Sequence, residues 1–185
     1  MRQRLPQAFF AREAAEVARA LIGCALVHGE RAGMIVETEA YIGAHDLACH
    51  ARFGATERTS VMFGPAGKSY VYLCYGIHEM FNIVTGADGD GQAVLVRAVA
   101  PLDGLGADAA VGRGPGKVTR ALSIDRRHNK RDLADGERYV AAHATPPKIA
   151  VGPRIGVDYA GERWAKRKLR FWWAEHAAVS KTRKA

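Results

Sequence analysis

An alternating pattern of polar and apolar residues predicts the β-strand around which the rest of the chain is organised. It runs from Met34 to Tyr41 and reads M-I-V-E-T-E-A-Y. Successive side chains of a strand leave opposite faces, so one face carries Met34, Val36, Thr38 and Ala40, and the other carries Ile35, Glu37, Glu39 and Tyr41. We expect the apolar or small set to face the core. The other set places two carboxylates and a phenol side by side.

Helical and strand patterns elsewhere predict an α+β fold. Apolar residues at helical spacing predict a core-packing helix over Ala11–Ile22, ended by Gly23, and a second helix over Gly114–Leu122 has proline in its first turn. The other predicted strands are Cys24–His28, Ser69–Cys74, Met80–Thr85, Ala93–Val99, Tyr139–Ala142, Lys148–Val151 and Leu169–Trp173. The intervening stretch 43–68 is glycine-punctuated and mostly irregular, as functional loops often are.

These elements predict a single domain over residues 1–185, with a short basic tail at 181–185. We expect a curved, mainly antiparallel sheet with flanking helices and a protruding β-hairpin. The turn of that hairpin is predicted at Tyr75-Gly76.

The charge balance narrows the choice of partners. Lysine and arginine number 27 against 19 acidic residues, which gives a net charge of +8 and a pI near 9.7. Such an excess favours polyanions, nucleic acid first and anionic membranes second, although a merely soluble basic protein has the same composition. No apolar run approaches the ~18 residues of a membrane span, and no secretory signal is seen. The widely spaced Cys24, Cys49 and Cys74 fit reduced thiols, which predicts a cytoplasmic protein.

Glu39 and Arg97 are the first candidates for chemistry. Arg97 is the one cation in the apolar run 93–99, and a buried arginine needs an anionic partner. A Glu39–Arg97 pair that also holds a water molecule leaves Glu39 ionised and able to act as a general base. A buried ion pair without chemistry accounts for the same residues equally well.

Tyrosines form a second group of candidates in the stretch 69–82. Alternation places Tyr70 and Tyr72 on one face of their strand, and it places Tyr75 at the turn, projecting outward. Tyr72 is therefore a candidate for a pocket, because aromatic rings beside cations are stacking surfaces for bases. Tyr75 at a hairpin tip can wedge into a duplex. Sheet tyrosines with a structural role alone are the common alternative.

His45, Cys49 and His50 are residue types that bind metal ions, but their spacing does not favour a metal site. Adjacent Cys49 and His50 cannot easily bind one ion together, and a fourth ligand at zinc-like spacing is missing. We therefore predict no metal site and interpret His50 as a hydrogen-bond donor to a ligand. No Walker motif, strand-linked G-x-G-x-x-G or G-x-S-x-G occurs either.

Ordered motifs along nearly the whole chain, from about Phe10 to Phe171, resemble those of one enzyme family. They are V-E-T-E-A-Y (Val36–Tyr41), His50, Y-V-Y-L-C-Y-G (Tyr70–Gly76), Asn82, V-L-V-R-A (Val94–Ala98), G-P-G-K (Gly114–Lys117), R-D-L-A (Arg131–Ala134) and G-P-R-I-G-V-D-Y-A (Gly152–Ala160). The sequence thereby resembles the alkyladenine DNA glycosylases, also called methylpurine-DNA glycosylases. Several motifs in the same order are far more specific than any one of them.

The resemblance implies a base-excision-repair enzyme that flips a damaged purine out of duplex DNA and hydrolyses its N-glycosidic bond with water. The implied substrates are 3-methyladenine, 7-methylguanine, hypoxanthine and ethenoadenine, and the product is an abasic site. The implied enzyme is monofunctional. It acts as a monomer associated with the nucleoid, without cofactor, metal or membrane.

The same resemblance assigns roles to individual residues. Glu39 matches the catalytic base, and Arg97 matches the residue that helps to hold the water. The matches to the base pocket are Tyr41, His50, Tyr72 and Asn82, the last of which is thought to clash with the amino group of guanine. Tyr75 matches the side chain that intercalates where the flipped base was. Two other hypotheses compete with this one. The first is a non-catalytic nucleic-acid-binding module, and the second and weaker one is a metal-dependent hydrolase that uses His45 and Cys49.

Overall fold

The fold is built on one long strand, β2, which pairs with three other strands. The computed structural model describes residues 2–146 and 148–181. Its helices are α1 (Gln7–Phe10), α2 (Ala14–Ala20), α3 (Pro115–Ala121) and α4 (Glu162–Ala165). Its strands are β1 (Ala25–His28), β2 (Arg31–Ile42), β3 (Ser69–Cys74), β4 (His78–Thr85), β5 (Gln92–Pro101), β6 (Arg138–Ala141), β7 (Ile149–Gly152) and β8 (Arg170–Trp173). Four short 3₁₀ turns complete the described elements, at His50–Phe53, Ser60–Phe63, Arg126–His128 and Asp158–Ala160.

The strands form one sheet in the order β3-β4-β5-β2-β1-β6, and β8 pairs with both β2 and β7. Every strand pairing among the described residues is antiparallel. The sheet curls into a half-barrel within a single α+β domain, as predicted. The first half of β2 pairs with β1, and its second half pairs with β8 as well as β5. The active-site candidates of β2 are therefore enclosed by backbone from distant parts of the chain.

The prediction that side chains alternate strictly along β2 is wrong at one point, where a β-bulge interrupts the strand. The pairing with β5 skips Val36 on one strand and Arg97 on the other. Val36 consequently lies in a small cluster with Ala98 and Ala100, whereas Ile35 joins Ala40 in the main core. Glu37 and Glu39, on the other face, are fully buried as well. Glu39 and Tyr41 do share a face, as alternation predicts.

The first predicted helix is shorter than expected. Residues 11–13 are not helical, and α2 begins at Ala14, because Glu13 is extended and the Ala14 amide donates to the Gln92 side chain at 2.8 Å. The helix ends at Ala20, two residues before the predicted end, and Gly23 closes the following turn with a left-handed φ of +94°. The α2 helix packs on the sheet, where the Thr38 hydroxyl donates to the Ala18 carbonyl at 2.8 Å.

The remaining elements follow the sequence pattern closely. Each predicted strand is present, with ends shifted by at most a few residues, and α3 begins at Pro115. The stretch 43–68 is irregular apart from two 3₁₀ turns. Of the predicted basic tail, residues 182–185 lie outside the described residues.

Candidate active site

Three hydrogen-bond donors surround the carboxylate of Glu39, which lies in the second half of β2. Its Oε1 atom accepts a hydrogen bond of 2.7 Å from the Ile155 amide and lies 3.3 Å from Nη1 of Arg97. Its Oε2 atom accepts a hydrogen bond of 2.9 Å from the Tyr41 hydroxyl. Together the three donors fix the orientation of the carboxylate. Burial and the neighbouring carboxylate raise the pKa of Tyr41, so its hydroxyl keeps the proton that it donates.

Arg97 reaches Glu39 from β5 because of the bulge described above. Its Nη1 atom contacts Glu39, while its Nε atom donates to Oε1 of Glu37 at 3.2 Å. The expected Glu39–Arg97 pair is thus present, and a second carboxylate shares the arginine. The Arg97 side chain is only about 10% exposed, so the interaction is screened little by water.

Glu37 has more hydrogen-bond partners than Glu39. Besides Arg97 it accepts from Arg170 of β8 at 3.1 Å, from the Ser180 amide at 2.8 Å and from the Ser180 hydroxyl at 2.9 Å. The sequence placed Glu37 beside Glu39 but assigned it no role. Its function as an anchor for two arginines could not be predicted, because β8 and Ser180 lie more than 130 residues away in the chain.

A second buried ion pair, between Arg154 and Asp46, lies just beyond the C-terminal end of β2 and helps to position a partner of Glu39. Arg154 and Asp46 are both fully buried and form two hydrogen bonds, the longer of 2.9 Å. Arg154 also donates to the Ala40 carbonyl at 3.0 Å and lies over the Tyr41 ring at 4.8 Å. This pair fixes the segment that presents the Ile155 amide to Glu39. Arg154 lies in a motif noted from the sequence, but its partner Asp46 was not identified as a site residue.

A small cavity beside this network collects the predicted pocket residues. Its lining is Tyr41, Ala48, Cys49, His50, Met62, Tyr70, Tyr72, Asn82, Ala93 and Tyr159. The cavity opens into a wider groove, because Tyr41, His50, Tyr72 and Tyr159 line both. Arg97 and Ile155 also line the groove, and Glu39 lies fully buried directly behind that wall. Among the tyrosines of the lining, Tyr159 is the one that the sequence analysis did not single out.

His50 is neutral in this cavity. Burial, aided by the nearby charges of Arg58 and Arg52, lowers the pKa of His50 to about 4. Its Nδ1 atom lies 2.9 Å from the Tyr70 hydroxyl, and its ring meets the Tyr72 ring edge-on at 4.7 Å. A neutral imidazole carries one N–H donor and one acceptor nitrogen, and the second nitrogen, Nε2, is available to a ligand.

Asn82 lies at the back of the cavity with its amide nitrogen already engaged. Nδ2 donates to the main-chain carbonyls of Tyr70 at 3.1 Å and Met80 at 3.3 Å. The amide oxygen is therefore the atom that Asn82 can offer to a base. This arrangement requires the close β3–β4 pairing, in which Asn82 lies opposite Tyr70.

Tyr75 occupies the tip of the β3–β4 hairpin, away from the cavity wall. Residues 75–77 connect the two strands, and the Ile77 amide donates to the Cys74 carbonyl at 3.1 Å. Within this turn Tyr75 and Gly76 have left-handed φ angles, of 50° and 68°, as tight hairpin turns that follow the twist of the strands require. The Tyr75 side chain is 90% exposed, and Ile77 beside it is 72% exposed. The tip thus presents two apolar side chains to solvent next to the groove.

Neither a metal site nor a membrane span is seen in the described part of the chain. No three histidine, cysteine or acidic side chains there are arranged to hold an ion. Cys49 donates to the Gly91 carbonyl, and burial raises its pKa to about 11, which makes it a poor metal ligand. Residues 2–146 and 148–181 contain no helix both long and apolar enough to cross a bilayer.

Comparison with known proteins agrees with the site geometry. Residues 8–177 match the family described as Methylpurine-DNA glycosylase (MPG). A relative from Myxococcus xanthus (strain DK1622) is 53% identical over 183 residues, covering 96% of this chain and 93% of its own. One from Anaeromyxobacter dehalogenans (strain 2CP-1 / ATCC BAA-258) is 52% identical, covering 91% and 81%, and one from Legionella pneumophila (strain Corby) is 45% identical, covering 97% and 100%.

All three relatives carry the name "Putative 3-methyladenine DNA glycosylase". Both the extent of the family match and the identities exceed what a shared fold alone requires. The chain therefore belongs to the methylpurine-DNA glycosylase family, and it is a DNA-repair hydrolase that cleaves the N-glycosyl bonds of alkylated purines.

Proposed function

We propose that this enzyme flips a damaged purine out of duplex DNA and hydrolyses its N-glycosidic bond with a water molecule activated by Glu39. The substrates are 3-methyladenine, 7-methylguanine, hypoxanthine and ethenoadenine, and the product is an abasic site. The observation that carries the proposal is the Glu39–Arg97 ion pair directly behind the groove into which the aromatic cavity opens. A module that only binds DNA has no need of such a pair.

The cavity recognises the flipped base through stacking and a few polar atoms. Tyr41 and Tyr72 provide π-faces, which attract the positively charged ring of an N-alkylated purine. Neutral His50 contacts the flipped nucleotide through its free nitrogen. Asn82 disfavours unmodified guanine, since the cavity wall at this position meets the 2-amino group that guanine has and adenine lacks. The cationic ring of 7-methylguanine offsets this cost, because it stacks well and is a good leaving group.

Hydrolysis follows from the charges around Glu39. As the N-glycosidic bond breaks, its electron pair leaves with the base and positive charge develops on the sugar, which the buried carboxylate stabilises. The water oxygen bonds to the sugar carbon and its proton passes to Glu39. Arg97 orients the water and the carboxylate. A cationic alkylated purine leaves as a neutral base, so it needs no proton from the enzyme.

Tyr75 fills the space that the flipped nucleotide leaves in the duplex. A hairpin tip with an exposed ring is suited to this role, because an inserted side chain compensates for lost base stacking. The enzyme works as a monomer on double-stranded DNA and uses no cofactor.

The test is base release from a duplex oligonucleotide that carries a single ethenoadenine, hypoxanthine or 3-methyladenine, in the presence of a chelator. Strand cleavage only after alkali identifies a monofunctional glycosylase. No base release from any of these duplexes, with tight binding retained, would favour the binding-module alternative. Base release that occurs without the chelator but is lost when the chelator is present would favour the metal-dependent hydrolase.

The sharpest single variant is Glu39→Gln. Glutamine keeps the size of the side chain but cannot accept a proton from water, so we expect base release to fall by at least ~100-fold while binding to lesion DNA is retained. Glu162→Gln, at an exposed glutamate of α4, is the matched control and should behave as the parent. A Glu39→Gln variant that is as active as the parent would overturn the water mechanism.

A further inference from the structure

A second exposed aromatic surface borders the groove, apart from the hairpin tip. Phe53 and Tyr159 are 67% and 63% exposed, although both are large apolar side chains. The Arg52 guanidinium lies between them, 4.5 Å from the Phe53 ring and 5.4 Å from the Tyr159 ring. We call these three residues the lip.

The lip is joined to the wall of the cavity by the backbone and by two hydrogen bonds. Phe53 ends the 3₁₀ turn that begins at His50, so one turn carries both a cavity residue and a lip residue. Arg52 donates to the Leu47 carbonyl, and the Tyr159 hydroxyl donates to the Ala48 carbonyl at 3.1 Å. These bonds fix both side chains while their outer faces stay in contact with solvent.

The charge of the lip points to a polyanion as its occupant. One Arg52 N–H is used by Leu47, and within the described residues its other N–H groups have no carboxylate within ion-pair distance. Arg58 lies nearby, over the Tyr72 ring at 4.9 Å. Exposed rings combined with a free arginine are the usual composition of a surface that binds a nucleic-acid strand.

The lip and the hairpin tip line the same groove, which also contains Arg97 in its wall. A duplex that places Tyr75 in the vacated stack and its lesion in the cavity must pass the lip. The lip then meets the strand next to the flipped nucleotide, since Tyr159 lines both the cavity and the groove.

We propose that Phe53, Arg52 and Tyr159 form a second DNA contact that grips the lesion-bearing strand beside the flipped nucleotide. The two rings pack against the neighbouring sugar and base, and Arg52 pairs with a phosphate. This proposal rests on the proposed function, because it takes the bound polymer to be lesion-containing DNA.

The test measures binding to a short duplex that carries one tetrahydrofuran abasic-site analogue, which the enzyme cannot cleave. Phe53→Ala should weaken binding about tenfold, as loss of one stacking side chain does, without changing the salt dependence. Phe53→Trp should restore binding. Arg52→Gln should weaken binding and reduce the slope of log Kd against log salt by about 0.9, the value for one phosphate contact.

Two controls and a stability measurement make the result decisive. Val151→Ala removes an exposed apolar side chain of β7 outside the groove, and Lys166→Gln removes a positive charge from an exposed lysine next to α4. Both should bind as the parent does. Thermal unfolding checks that Phe53→Ala is folded, and the Phe53→Trp rescue separates stacking from a general loss of structure.

Binding of Phe53→Ala within twofold of the parent would overturn the proposal. So would a dimer of the parent that Phe53→Ala dissociates with no change in DNA affinity, because the lip would then contact a second copy of the chain. Base release by the parent from ethenoadenine or 3-methyladenine duplexes is measured separately. If the parent releases base and the lip variants bind normally, the lip proposal fails and the proposed function stands.

Discussion

The Glu37 carboxylate contacts the arginine of the proposed catalytic pair, Glu39 and Arg97, without belonging to that pair. Its carboxylate holds Nε of Arg97, and this leaves Nη1 directed at Glu39. It is itself held by Arg170 and by two donors of Ser180. We therefore interpret Glu37 as a positioning residue, which acts on the reaction only through Arg97.

Replacing this carboxylate tests the interpretation. In Glu37→Gln the charge that balances Arg97 and Arg170 is lost, and Arg97 is free to move from Glu39. Because displacements of about 1 Å can cost ~100-fold in rate, we expect the single-turnover rate of base release to fall by roughly 10- to 100-fold. Affinity for abasic-analogue DNA should change much less.

The Ser180 hydroxyl provides a milder version of the same experiment. Ser180→Ala removes one donor to Glu37 and should lower the rate severalfold, whereas Ser180→Thr keeps the hydroxyl and should restore it. Equal effects on rate and on DNA affinity would contradict a positioning role and indicate a general structural one.

Some residues of the candidate site could be identified from the sequence alone. Arg97 was identifiable because a lone cation in an apolar strand requires an acidic partner, and Glu39 was the candidate on a neighbouring strand. The role of Glu37 was not predictable, since its other partners lie far along the chain. Nor was the orientation of Arg97, because it depends on a β-bulge that local sequence does not encode.

Among the secondary-structure elements, β2 depends on the irregular segments that pack against it. The Asp46–Arg154 pair joins the loop after β2 to the segment after β7, across 108 residues. No periodicity marks either residue, so alternation and helical spacing could not have revealed the pair. It nevertheless determines where the Ile155 amide meets Glu39.

Breaking this pair should be costly. In Asp46→Asn the fully buried Arg154 loses its counter-charge, and removing one partner of a buried ion pair typically costs about 3–5 kcal/mol. We expect the free energy of unfolding in urea to fall by about this amount. Glu162→Gln, at an exposed ion pair with Lys166, is the control and should change little. Similar stability of both variants would show that the buried pair does not anchor the segment.

At the tip of the β3–β4 hairpin, a single substitution can remove the Tyr75 ring and leave the turn conformation unchanged. Tyr75 adopts a left-handed backbone conformation that tyrosine disfavours and asparagine tolerates. Tyr75→Asn should therefore keep the thermal stability or raise it slightly, while removal of the ring lowers base release from lesion duplexes at least tenfold. A folded Tyr75→Asn variant with unchanged base release would exclude intercalation by Tyr75.

For the molecule as a whole, His50 couples the cavity to stability at low pH. Its pKa is about 4 in the folded chain against an ordinary 6.5. The unfolded chain therefore binds more protons between these values, and its stability relative to the folded chain rises as pH falls. The folded state should lose up to about 3 kcal/mol from this residue between about pH 6.5 and pH 4.

His50→Gln isolates that contribution from the other groups. The pKa values of His128 and His176 are also lowered by burial, so the parent loses stability from several sources on acidification. Urea unfolding at about pH 7 and pH 4.5 should show a smaller loss for His50→Gln than for the parent. Identical losses would mean that His50 is not buried as a neutral ring.

The multiple pairings of β2 also set the order in which the molecule can be assembled during synthesis. Glu37 and Arg97 emerge from the ribosome long before Arg170, yet all three meet in one network. Until β8 is made, the second half of β2 lacks one of its two neighbouring strands, and two carboxylates destined for the interior remain hydrated. A nascent chain therefore cannot complete the Glu37–Arg97–Arg170 network until translation has passed β8, so the last strand to be made closes the surroundings of Glu37.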